Sequence, residues 1–475
     1  MKRGWLALFA LCFAAGAMAA SLPVAVRQEL KQAGIPQSSV AVVVQQVGKR
    51  QPLLHLNDER AMNPASTMKL LTTFAALDLL GPAYTWKTEA YLDGELKDGV
   101  LEGNLVLKGY GDPKFTVEQF WLWLAEMRAR GLREIRGDLV LDRSYFDIPP
   151  FDAGAFDNDP VRAYNVGADA LLLNFNTLKL SYLPEGGALR VFTEPRLDGL
   201  PLDNRLAALA DGPCDDWDDG ILVETGGDVV ALRGGYPGVC GERSHNLSLM
   251  PHARYVEAVF RSLWRELGGT LQGVARDGAA SERARLFATH RSEPLAQVIR
   301  DINKFSNNVM ARQLFLTLGE AAPALPADGE GVSAAPMSVA RSVQTVQDWL
   351  VQQGLDFPEL VLENGAGLSR IERISADHLA QLLLRAAAHP LSAELQASLP
   401  ILGVDGTMKK RLKDSPAASH AHLKSGTLDG VRTLAGYVRS DAGREWVVVC
   451  FIAHPSAKSG KAAQDALVEW VRGLE

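Results

Sequence analysis

What this chain lacks narrows its chemistry. No Cys/His cluster has the spacing of a structural zinc site, so the scattered histidines read as ordinary structural or surface residues. Basic residues are in deficit, 49 Lys and Arg against 56 Asp and Glu, and this balance argues against a nucleic-acid partner while saying nothing about fold. No internal repeat period stands out. The apolar stretch 6–15 is too short, and too promptly followed by polar sequence, to span a membrane. Cysteine is scarce at four residues, and one of them, Cys12, lies in that stretch.

What is present at the N-terminus has another purpose. Lys2 and Arg3 precede the apolar run, and Ala17-Met18-Ala19 follows it with small residues, which together make a secretory signal cleaved after Ala19. Cys12 has no small-residue lipidation context, so an exported soluble product is expected. Removing residues 1–19 leaves 47 basic against 56 acidic residues. Cys214 and Cys240 both sit in Gly/Asp-rich irregular sequence, where an oxidising compartment would let them close a local disulfide loop. Cys450 lies in the apolar run 446–452 and reads as a buried small hydrophobe.

The mature length supports two or three domains. A helix is expected over 22–34, then strands over 39–46 and 52–56 joined by a turn at Gly48. From 85 to 141 short strands alternate with Gly/Asp turns around an amphipathic helix at 117–130, and 142–278 forms a second strand-rich region with strands at 171–182, 189–193 and 227–233. Helices return at 293–300 and 309–316, separated by a polar interruption at 301–308. A loop is expected over 321–336, a helix over 337–353, and a helix over 376–388 capped by Ser375. Strands 421–427, 432–439 and 445–453 and a closing helix at 464–474 finish the chain. The two early and three late strands compose a five-stranded, largely antiparallel sheet, an α/β (α+β) arrangement. Terminal helices cover one face and the helix after Pro64 covers the other. The basic cluster Lys409, Lys410, Arg411 and Lys413 reads as a solvated face, with an acidic polymer as its candidate ligand. The Gly-rich turn 109–113 is an ordinary turn signal that could also support a site.

The chemistry centres on Asn63-Pro64-Ala65-Ser66-Thr67-Met68-Lys69. Pro64 suits a helix start, which puts Ser66 in the first turn and returns Lys69 to the same face. A serine hydroxyl needs a base, and a lysine serves only if burial or neighbouring cations leave it neutral. Alone, a Ser and a Lys three residues apart occur on many surface helices. Two further units change that reading: Ser306-Asn307-Asn308 at a helix junction, and Lys424-Ser425-Gly426-Thr427 entering a strand whose glycine permits close backbone approach.

In this order and context the three units resemble those of the penicillin-binding proteins and serine β-lactamases. The long region between the first two resembles the low-molecular-mass class C penicillin-binding proteins, the D-alanyl-D-alanine carboxypeptidase/endopeptidases of peptidase family S13. The likeness runs from about residue 24 to the C-terminus and includes 109–113, 364–369 and 405–407. It implies a catalytic domain in two parts, 20–84 and 285–475, around an inserted region 85–284 of two modules, the inner one about 160–245. It further implies Ser66 as nucleophile, Lys69 as general base, Ser306, Asn308 and Lys424 as their polar network, and the Ser66 and Thr427 amides as oxyanion hole. Ser425 and Thr427 would bind the substrate carboxylate. Partners so implied are peptidoglycan peptides and β-lactams, with no cofactor or metal, in the periplasm. Peripheral cell-wall or membrane association and oligomeric state stay open.

Two departures affect substrate preference more than reaction class. Lys-Thr-Gly is the more usual third unit where this chain has Lys424-Ser425-Gly426, and Asp-Gly-Ser-Gly is more familiar than Asn364-Gly365-Ala366-Gly367. Competing readings are a β-lactamase or serine esterase, and a cell-wall-binding or assembly protein with little catalysis.

Overall fold

The protein is described by a computed structural model over residues 21–197, 200–226, 229–321 and 336–475. The leader expected at 1–19, and all but the end residues of the loop expected at 321–336, lie outside the described residues.

Five antiparallel strands form the central sheet: β1 (Val40–Gln46), β2 (Leu54–Leu56), β3 (Ala421–Leu428), β4 (Val431–Arg439) and β5 (Glu445–Ala453), in the order β3-β4-β5-β1-β2. Val40 faces Ile452 and Gln46 faces Trp446, so the two ends of the chain must meet to complete it. Around the sheet run α1 (Val24–Gln32), α2 (Lys69–Leu80), α3 (Leu295–Phe305), α4 (Asn308–Thr317), α5 (Val339–Gln352), α6 (Ala376–Ala387) and α7 (Lys461–Arg472). Alternate side chains serve two cores. Val42, Val448 and Cys450 pack beneath α1 and α7, while Ala41, Val43, Val449 and Phe451 pack against α2 and its helical neighbours. Both faces being covered explains why β1 and β5 read as unbroken apolar runs.

Every residue from Lys69 to Leu77 is buried, as a helix enclosed on all sides requires. Its entry differs from the expected one. A 3-10 segment, Ala65–Met68, precedes α2, and Ala65 has φ 45°, so Ser66 lies in a tight turn and Lys69 opens the α-helix.

Two further expectations are corrected. The polar interruption at 301–308 shrinks to Ser306 and Asn307, because α3 continues to Phe305. Its polar residues have internal partners: Asn303 donates to Ser398 Oγ at 2.9 Å, and Lys304 pairs with Asp405 at 2.6 Å. Ser306 then turns the chain at φ 58°, and Asn307 caps α4 by accepting the Met310 N–H at 3.0 Å. The strand expected from 171 begins only at Leu178, after left-handed Asn174, Phe175 and Asn176. Those asparagine side chains secure the turn by donating to Tyr255 Oη (3.0 Å) and the Met250 carbonyl (2.9 Å).

Between the catalytic segments, a seven-stranded sheet draws on both flanks of the intervening region, with Lys87–Lys97 antiparallel to Arg285–Arg291. Smaller sheets of three and four strands, between Leu178 and Leu247, complete a shared core with it. Cys214 and Cys240 form the expected disulfide. Cys450 is a free, buried thiol. The turn 109–113 packs against Phe146 and Ala170. Arg411 leaves the basic cluster altogether, since it is buried and paired with Asp465 of α7, whereas Lys409, Lys410 and Lys413 are exposed. Among the described residues no helix is long and apolar enough to cross a membrane.

Candidate active site

The tight turn before α2 holds Ser66 in place through its neighbours. Asn63 Oδ1 accepts the Ala65 N–H at 2.8 Å, and the Pro64 carbonyl accepts hydroxyl hydrogens from Thr67 (2.7 Å) and Thr433 (2.8 Å). Ser66 is half-buried, and Lys69 behind it is fully enclosed. Lys69 Nζ lies 3.0 Å from Ser66 Oγ and 2.7 Å from Asn308 Oδ1, and it donates to the Ala366 carbonyl. All three contacts are polar and none is anionic. Burial pushes the Lys69 amine well below the usual lysine range, Lys424 and Arg312 push it further, and Glu372 alone among the named charges opposes them.

A second chain of contacts lies on β3. Lys424 is fully buried, and its Nζ donates to Ser306 Oγ at 2.7 Å and to the Ser425 carbonyl at 2.8 Å. Burial brings its amine down to about 7. The left-handed turn at Ser306 aims one hydroxyl at Lys424, while Asn308, the first residue of α4, reaches Lys69. Ser425 and Thr427, two apart on a strand, share a side; Ser425 is half-buried and Thr427 exposed. Gly426 passes directly against the Ser66 backbone.

The structure thus joins Ser66, Lys69 and Asn308 by direct contacts, pairs Lys424 with Ser306, and lays the strand that carries Ser425 and Thr427 against the Ser66 backbone at Gly426. It also brings in groups that motif reading missed. Ala366 contributes only a carbonyl, Glu372 braces the loop that carries it, and Arg312 on α4 is a buried cation docked on the Val166 carbonyl at 2.6 Å. The residue pattern held one signal for Glu372, an acid between the apolar Ile371 and Ile374 of the loop, and none for Ala366. Beside the cleft a cavity of about 410 Å³ opens between residues 148–168 and the loop 363–371. Among the described residues no group of three or more His, Cys, Asp or Glu could hold a metal ion.

The model of the D-Ala-D-Ala carboxypeptidase 3 (S13) family matches residues 22–474. The chain belongs to that family. It is 28% identical to a D-alanyl-D-alanine carboxypeptidase of Actinomadura sp. (strain R39), over 96% of this chain and 86% of the relative. Likewise it is 26% identical to the D-alanyl-D-alanine carboxypeptidase DacB of Haemophilus influenzae, over 92% of this chain and 90% of that one. The crystal structure of penicillin binding protein 4 (dacB) from Haemophilus influenzae shares its fold, with a TM-score of 0.77 at 23% identity over 94% of this chain and all of that one. This S13 protein is therefore an enzyme of the serine D-Ala-D-Ala carboxypeptidase/endopeptidase type. In it the five-stranded sheet and its helices carry the catalytic domain, and the additional sheets are extra modules.

Proposed function

We propose that this S13 enzyme cleaves D-alanyl amide bonds of peptidoglycan stem peptides and cross-links through an acyl-enzyme on Ser66. The observation that carries this reading is the enclosed Lys69 amine 3.0 Å from the Ser66 hydroxyl, held by neutral acceptors and disfavoured as a cation. Neutral Lys69 takes the hydroxyl proton as Oγ attacks the carbonyl. The amides of Ser66 and Thr427 receive the developing oxyanion. Asn308 Oδ1 holds the Lys69 amine in place while the Ser306 hydroxyl helps pass the proton to the leaving amine, the C–N bond breaks, and water then hydrolyses the ester to restore Ser66. Lys424 keeps the cleft positive, and the Ser425 and Thr427 hydroxyls bind the terminal carboxylate. A β-lactam offers the same site a carbonyl and a carboxylate, so it acylates Ser66.

The cavity beside the loop 363–371 gives the peptide on the acyl side room against an apolar wall. We assign 20–84 and 285–475 to the catalytic domain and 85–284 to the insertion, with the one adjustment that the strand Arg285–Arg291 pairs with Lys87–Lys97 and so belongs to the insertion's outer sheet. The N-terminal signal supports export to the periplasm, where the substrate lies. Incubating the purified enzyme with intact muropeptides and identifying products by mass spectrometry tests the reading. Expected products lack a terminal D-alanine or are halves of cross-linked dimers, and Ser66→Ala yields neither. Unchanged muropeptides with the wild-type enzyme would reject it.

A further inference from the structure

Glu372 is fully buried in the loop that ends next to Lys69. Its Oε1 accepts the N–H groups of Glu363 (3.1 Å), Asn364 (2.9 Å) and Gly365 (2.9 Å), while its Oε2 has no hydrogen-bond partner. Three amides converging on one oxygen suit an anion. The loop is tied from the other side as well, because Ser369 Oγ accepts the Glu372 N–H at 3.0 Å and Asn364 Oδ1 accepts the Ala366 N–H at 2.9 Å. Two successive carbonyls project from this braced turn onto α2. Gly365 receives the Thr72 hydroxyl at 2.7 Å, and Ala366 receives the Lys69 amine.

We propose that Glu372 is a positioning residue for Lys69: its carboxylate gathers the 363–365 amides and thereby sets the Ala366 carbonyl on the Lys69 amine. The inference rests on Lys69 being the general base. The side-chain hydrogen bonds of Glu372 all go to amides of its own loop, so it acts through the loop and through its charge. The charged groups that face Lys69 are Lys424 from β3, Arg312 from α4 and Glu372 from the loop; the first two disfavour its protonated form and the third favours it. Burial raises the Glu372 carboxyl, and its three amides and Lys69 work in the opposite direction. An uncharged side chain at 372 leaves Lys424 and Arg312 unopposed. Lys69 then sheds its proton at a lower pH.

The test is the second-order rate of acylation by a fluorescent penicillin as a function of pH, for wild type, Glu372→Gln and Glu372→Ala, with the adduct located by peptide mapping. Gln keeps an oxygen for the three amides and loses the charge, so the acid limb moves to lower pH and the plateau rate falls less than in the Ala variant. Ala removes the oxygen, and displacement of the Ala366 carbonyl slows acylation roughly ten- to a hundredfold. A wild-type plateau rate in Glu372→Ala overturns the proposal, and so does an acid limb that stays in place in Glu372→Gln. If thermal melting shows that the Ala variant does not fold, the Gln limb alone decides. A wild-type enzyme without a Ser66 adduct would instead reject the functional reading, which separates the two failures.

Discussion

A methyl group added at Gly426 would sit 2.7 Å from the Ser66 amide nitrogen. The same methyl would lie 2.3 Å from Thr433 Oγ1 and 2.8 Å from Ala65 Cβ, so β3 can run beside Ser66 only with glycine there. Gly367 does the same from the opposite loop, where an added Cβ would meet the Ala65 carbonyl oxygen. The Ala65-Ser66 backbone is therefore gripped between two stretches of chain that approach without side chains. Gly426→Ala should push β3 away from Ser66 and separate the two amides assigned to the oxyanion. Loss of one oxyanion donor costs about 10² to 10³ in rate. Penicillin acylation should fall by that order, and a near-normal rate in folded protein would remove the close approach from the mechanism.

Lys69→Arg tests the base directly. Arginine keeps a positive charge that is not given up at any working pH. It also has to fit a site with no exposed surface. Acylation should be severely slowed while Ser66→Ala abolishes it, as intact-mass spectrometry of penicillin-treated protein will record. Ser306→Ala should show a smaller loss, because water can replace one hydroxyl beside Lys424. Fast acylation by folded Lys69→Arg would sink the base assignment.

Lys424 makes two pH predictions of definite sign. In the free enzyme its amine loses its proton at about 7, so kcat/KM for a substrate with a free carboxylate should fall as pH rises through that value. Lys424→Arg should abolish this alkaline limb even if the rate is lower. For stability, the unfolded lysine keeps its proton up to about 10.4 whereas the folded one releases it near 7, so the unfolded state binds more protons in between. Stability should thus rise with pH across that window, by at most ~1.4 kcal/mol per unit for one group. Lys424→Met should flatten this part of the curve in denaturant titrations, and an unaltered slope would place the proton release elsewhere.

Ser425 tests the departure from the more usual Lys-Thr-Gly. If its hydroxyl binds the substrate carboxylate, Ser425→Thr should keep much of the activity and Ser425→Ala should lose it, more for a carboxylate substrate than for its carboxamide. Removing such a partner costs about 1 to 3 kcal/mol. Steady-state rates on the matched pair decide. Equal losses on both would move the carboxylate contact to Thr427.

The amino-acid sequence by itself determined which chemical groups the enzyme has and the pattern that folds them. Unbroken apolar runs in β1 and β5 specify a sheet buried on both faces, because the strand period sends neighbours to opposite sides. Ser66, Lys69, Ser306, Asn308 and Lys424 were legible as candidates because the pattern that singles them out consists of side-chain types at local spacings, and the fold brings them into contact. Tertiary structure alone decided how those groups are tuned. Whether Lys69 is an ordinary surface cation or an enclosed amine depends on Lys424, 355 positions along the chain, and on helices that close over α2. The Ala366 carbonyl was invisible for a simpler reason: every residue has one, and only the fold selects which meets Lys69. The same holds for the left-handed turns at Ala65 and Ser306, which ordinary propensity opposes and which the surrounding contacts of Asn63, Pro64, Asn307 and Lys424 impose.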